Sequence, residues 1–205
     1  MQVFNDSVMA HFDQEWYTRF YGTPPAEQFR IIIGFTNGPC NYGPSRKLTG
    51  QPKEVFAIMN YAVDDNERPI FYKKVVETVV HEFCHSFTKI KGDTEKALEK
   101  SGKALQEYTY FSMRRQAYGT WRNILEESLV RAATICYLID HDYDEKDIRN
   151  AIIEQVDRNF FWMPELVQTL RYYESHRKKY PTFTSFYPEI IRFFDRYVTN
   201  MEKEM

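Results

Sequence analysis

Val79-Val80-His81-Glu82-Phe83-Cys84-His85-Ser86-Phe87 is the stretch on which the reading of this chain turns. It holds His-Glu-x-x-His among apolar residues spaced as in a helix. Residues four apart share a helix face, so His81 and His85 can each turn a ring nitrogen toward one ion at roughly 2.0–2.1 Å, the Zn–N distance. Glu82 follows directly, near a metal position left open for water, where a carboxylate can take a proton that the metal has made acidic. With 5 His and 18 Glu in 205 residues, a random order gives roughly 0.01 such matches. Val76, Val80, Phe83 and Phe87 form a core stripe that the two histidines flank, which leaves the imidazoles half sheltered. The expectation is a zinc-peptidase site holding one Zn2+ per chain; the plain alternative is a solvent-facing pair of helix histidines.

A catalytic zinc takes three protein ligands and keeps one position open. The extended pattern H-E-x-x-H-x-x-G-x-x-H requires glycine at position 88 and histidine at position 91, where this chain has Thr88 and Lys91, so that branch is excluded. The other branch takes a glutamate from a later helix, and the chain offers Glu126-Glu127-Ser128-Leu129-Val130-Arg131-Ala132. Glu127 shares a face with Asn123, Arg131 and Thr134, a polar stripe on an otherwise apolar helix. Glu126 faces Leu129, Val130 and Ala133, with Arg122. The stripe favours Glu127, and leaves open Glu126 or a merely solvated acidic pair. Tyr118, just before this helix, is the first candidate for a donor to a developing oxyanion, against the alternative of a packing aromatic. Arg131, one turn beyond Glu127, is placed to orient that carboxylate. His141 and His176 read as structural or exposed.

The rest of the composition sets bounds. The length suits one domain over residues 1–205, with a sheet part at about 26–66 and a helical part at about 69–200. Its 27 basic and 29 acidic residues are interspersed, which leaves no footprint for nucleic acid or an anionic membrane. Cys40, Cys84 and Cys136 are odd in number and far apart, so they suggest buried thiols rather than a disulfide framework. Neither a signal peptide nor a twenty-residue apolar run is present, so no integral membrane segment is expected. An opening Met1-Gln2-Val3-Phe4-Asn5 also suits a domain whose export signal has been removed, which leaves exported and cytoplasmic locations both open. Nothing bears on oligomeric state.

Along the chain, Phe4, Val8, Phe12, Trp16 and Phe20 predict one amphipathic helix ending near Gly22. Phe29 to Phe35 predicts a strand, followed by a long loop marked by Asn37-Gly38-Pro39 and Gly43-Pro44, and Val55 to Val63 a second strand. That second strand is a candidate exposed edge on which a peptide could add itself, or else an ordinary core strand. Pro69 suits the start of the metal helix, with Ile90 near its end and Gly92 as its stop. Asp93 suits the cap of a mostly solvated helix over 94–116, in which Gly102 is a local weakness. Thr120 predicts the cap of a helix through Leu138. Asp144 opens another to about Arg158, Pro164 sits in the first turn of one reaching Arg177, and a last helix covers Phe186 to Val198. Leu166-Leu170-Tyr173 and Ile190-Phe193-Phe194-Tyr197 read as core stripes. The fold class expected is α+β, predominantly helical.

Tyr118-Gly119-Thr120-Trp121 and Glu127-Ser128-Leu129-Val130-Arg131-Ala132, following the histidine motif in that order, carry a resemblance. The chain resembles a bacterial zincin-type family described as a domain of unknown function with a metallopeptidase core, over about Phe29 to Phe183. The resemblance implies a zincin-like fold, with a small N-terminal sheet packed on the motif helix and a helical C-terminal part. It also implies His81, His85 and Glu127 as metal ligands and Glu82 as base. The function expected is zinc-dependent hydrolysis of peptide bonds in a peptide or protein substrate. The alternatives are a non-catalytic protein- or glycan-binding module and a zinc hydrolase of a non-peptide amide or ester.

Overall fold

A computed structural model describes residues 2–34, 41–71 and 74–204. Phe35, the Asn37-Gly38-Pro39 turn and Cys40 lie outside the described residues. The protein is α+β and mostly helical, as its sequence leads one to expect. Its contacts divide it into two compact units, Met1–Arg19 with Thr23–Phe87, and Phe20–Gly22 with Thr88–Met205.

The first unit opens with α1 (Gln2–Ser7), a 3-10 turn (Met9–His11) and α2 (Glu15–Tyr21), whose final residues count with the second unit. The single helix expected here is interrupted. Asp13 Oδ1 accepts the N–H groups of Glu15 at 2.9 Å and Trp16 at 3.2 Å, so its carboxylate satisfies donors that a helix start leaves without partners and begins a new helix.

Three strands follow, β1 (Gln28–Ile33), β2 (Ser45–Arg46) and β3 (Glu54–Met59), in the order β1-β3-β2. β1 runs parallel to β3 in register from Gln28↔Glu54 to Ile33↔Met59, and β2 pairs antiparallel to β3. Glu54 is buried beneath Arg30 of β1 and Arg46 of β2, and bonds to both. A hairpin of β4 (Ala62–Val63) and β5 (Pro69–Ile70) completes the strands.

The structure decides one open alternative and corrects one expectation. The strand before the motif helix is the middle one and has no free edge over 54–59; the edges of this sheet are β1 on one side and the segment running from Tyr42 to Arg46 on the other. Tyr42 exchanges backbone hydrogen bonds with Ile58, and Phe56 N–H donates to Pro44 O. Pro69 lies in β5 and does not start a helix, because Asp64 Oδ1 accepts the N–H groups of Asn66 and Arg68, both at 2.9 Å, and turns the chain back onto Val63.

The motif helix, α3, spans Lys74–Cys84 and ends well before Ile90. Its tail tightens into turns in which Ser86 N–H bonds to Phe83 O and Phe87 N–H to Cys84 O. Val76, Val79, Val80, Phe83 and Cys84 are buried, so the apolar stripe does face the core. The Phe29 ring stacks on Phe83 with centroids 4.2 Å apart and planes within 4°. Tyr17 Oη donates to Val80 O at 3.2 Å. Through these contacts β1, α2 and α3 form one core.

The second unit is helical: α4 (Asp93–Tyr108), α5 (Tyr110–Arg115), α6 (Trp121–Asp140), α7 (Glu145–Asp157), α8 (Met163–Ser175) and α9 (Phe183–Glu204). α6 is its axis, buried along most of its length and packed by α4, α7 and α8. Thr120 Oγ1 accepts Asn123 N–H at 3.2 Å, the cap expected from sequence.

α4 keeps the solvated outer face expected of it, and its inner face packs. It buries Leu98, Ser101, Gly102 and Leu105, and Gly102 is where the Trp121 ring seats. It stops at Thr109, whose Oγ1 donates to Leu105 O at 2.7 Å and competes with a continuing helix. Gly92, at φ 63°, precedes α4 rather than closing the helix before it, and the Asp93 carboxylate takes Lys96 in place of a backbone donor. α9 starts earlier than expected because Thr182 and Ser185 exchange side-chain-to-backbone bonds, each 3.1 Å, ahead of it. Leu166, Leu170, Tyr173, Ile190, Phe193 and Phe194 are core. Cys84 and Cys136 are buried thiols. Among the described residues no helix is long and apolar enough to cross a membrane.

Candidate metal centre

In the first unit, His81 stands in the last turn of α3 and His85 one residue beyond its end. Both are half-buried, and their rings meet edge to face with centroids 5.1 Å apart. The negative end of the helix dipole lies at this end of α3, which favours a cation near the imidazoles. Glu82 lies against Gly43: a Cβ added there would collide with the Glu82 carboxylate. Only a residue without a side chain lets the edge segment approach this closely. In the sequence Gly43-Pro44 marks only a loop, and nothing local signals this approach.

In the second unit, Glu127 is 6% exposed on α6. Tyr118 Oη donates to Glu127 Oε1 at 3.0 Å, and Arg131 Nη2 reaches the same oxygen at 2.7 Å. Arg131 Nη2 also donates to Tyr118 Oη at 2.9 Å, and its Nη1 to Gln155 Oε1 at 2.5 Å. The guanidinium sits over the Phe160 ring, 5.1 Å from its centroid, and Phe160 meets Tyr118 edge on. Burial, and after it the negative charge of Glu127, push the Tyr118 phenol above its ordinary value. Arg131 thus orients Glu127. Gln155 had no signal in the sequence.

Glu126 has a different occupation. Its Oε1 accepts Ile90 N–H at 2.8 Å and its Oε2 pairs with Lys89 at 3.1 Å, which fixes the chain leading into α4. His141 and His176 each hold a carbonyl of their own helix through Nδ1, Tyr137 O at 2.8 Å and Tyr172 O at 2.9 Å.

Two half-buried imidazoles and a buried carboxylate, His81, His85 and Glu127, make a group that could hold a metal ion. Nitrogen and oxygen donors of this kind suit zinc and its neighbours in the first transition row. The protein is therefore an α+β chain with a donor set fit for a divalent cation. A family model for a domain of unknown function, DUF4932, matches residues 1–193, and the chain belongs to that family. No curated protein and no solved structure matches it.

Proposed function

We propose that this protein is a zinc-dependent peptidase of zincin-like fold, in which His81, His85 and Glu127 hold the metal and Glu82 is the general base. The observation that carries the reading is the donor group itself, with a carboxylate next to its first histidine in the chain. A structural zinc site closes with four protein ligands and has no use for a neighbouring base.

A zinc ion bound there supplies Lewis acidity, which makes water acidic near neutral pH and polarises a carbonyl. The Glu82 carboxylate takes the proton of the attacking water and returns it to the leaving amine. Arg131 holds Glu127 Oε1. Tyr118, through its Oη–H, is the donor to the developing oxyanion. It gives up its bond to Glu127 in doing so, and one such donor is typically worth roughly 3–4 kcal/mol of barrier.

A peptide suits the edge segment. Tyr42 and Pro44 bond inward to β3, so the alternation of an antiparallel ladder turns the backbone groups of Gly43 outward. The segment is exposed from Tyr42 to Gly50. An extended peptide adding there would pass the Glu82 carboxylate.

The experiment is a metal count and a mixed-peptide digestion on the natural protein and on Glu82→Gln. Both should carry about one zinc per chain, and only the natural protein should cut. Small amides or esters turned over with no peptide cut would assign a non-peptide hydrolase. Bound zinc with no turnover of any substrate would assign a non-catalytic module.

A further inference from the structure

We infer that Gln155 of α7 is a positioning residue for the metal centre, acting through Arg131 on Glu127; this rests on the reading of Glu127 as a ligand. Glu127 depends on the guanidinium one turn away, and the guanidinium needs an anchor of its own. A buried arginine has five N–H donors and a planar head that can swing about the end of its stem. Here Nη2 is engaged by Glu127 and Tyr118, while Arg131 Nε is buried with no hydrogen-bond partner. The Phe160 ring restrains the plane of the head, and a ring face does not fix rotation within that plane. Gln155 does so by accepting from Nη1 at 2.5 Å.

Gln155 is itself fixed. Its Nε2 donates to Ala151 O at 3.2 Å, one turn back on α7, so the amide oxygen is the atom presented to Arg131. The order is then Ala151 O, Gln155, Arg131, Glu127, each link a hydrogen bond or ion pair. Partners that orient a ligand in this way typically alter metal affinity by roughly 10–100-fold when removed.

The test measures zinc affinity of the full chain by competition with a chromophoric chelator, together with the urea midpoint of the metal-free protein. Gln155→Met keeps the length and helix preference of the side chain and removes the acceptor, and Gln155→Glu keeps an acceptor oxygen. The expected result is zinc affinity reduced about tenfold or more in Gln155→Met, a urea midpoint close to that of the natural protein, and affinity restored in Gln155→Glu. The inference is overturned if Gln155→Met binds zinc as the natural protein does while Glu127→Ala loses affinity. It is overturned equally if the loss tracks a lowered urea midpoint and Gln155→Glu does not restore it, since that marks a structural role. Should Glu127→Ala leave zinc affinity unchanged, the reading of Glu127 as a ligand fails, and the inference goes with it.

Discussion

Arg131 Nη2 and Glu127 Oε1 stand 2.7 Å apart, one turn from each other on α6, with both side chains nearly withdrawn from solvent. Removing one partner of such a pair leaves the other as a buried charge without compensation, at a cost of roughly 3–5 kcal/mol. Arg131→Met should lower the unfolding free energy of the metal-free protein by about that amount in urea denaturation. The double variant Arg131→Met/Glu127→Met should recover most of the loss. Equal stability of the single variant and the natural protein would mean that the pair is not isolated from water.

Gly43 lies so close to Glu82 that no side chain fits between them. Gly43→Ala should displace the Glu82 carboxylate while leaving both histidines in place. Zinc content should therefore hold, and peptide cleavage should fall by about a hundredfold, the scale of a misplaced general base. Cleavage at the natural rate would separate Glu82 from the reaction.

Gly102→Ala sets two effects against each other. Helix preference alone favours alanine by about 0.5–1 kcal/mol. The new Cβ would stand 2.5 Å from Trp121 Cε3 and 3.2 Å from Leu125 Cδ1, and forcing extra volume into such packing costs about 1–3 kcal/mol. The net expectation is a lower thermal midpoint. A raised midpoint would show that the Trp121 ring moves aside at little cost.

Glu54 links the three strands electrostatically. Its hydrogen bonds to Arg46 and Arg30 hold the carboxyl below its ordinary value. A carboxyl whose folded-state pKa is depressed contributes stability above its unfolded value, and loses that contribution as pH falls through the folded one. Stability measured from neutral pH downward should decline below about pH 4.5, the ordinary glutamate range. Glu54→Gln should flatten that part of the profile. An unchanged profile would remove Glu54 from the acid limb.

The parts of this protein legible in its sequence are those governed by local periodicity. The stripe of Val76, Val80 and Phe83, the Thr120 cap and the aromatic faces of α8 and α9 follow from spacing alone, because a helix repeats its environment every few residues. What spacing does not carry is pairing across the chain. The central position of β3 rests on backbone pairing with both β1 and β2, across which Arg30 and Arg46 reach Glu54, and the separate occupations of Glu126 and Glu127 depend on Ile90 in one case and on Tyr118 and Arg131 in the other. Helix ends and tight turns are the least legible. Asp13, Thr109 and Asp64 each use a side chain to redirect the backbone, and the same residue types pass unnoticed elsewhere.

The most direct measurement is anomalous diffraction at the zinc absorption edge on crystals of the full chain grown with zinc. The expected result is one ion held by nitrogens of His81 and His85 at roughly 2.0–2.1 Å and by a Glu127 oxygen, with a fourth position left to solvent. An ion held without Glu127, or no ion bound by the histidines, would contradict it.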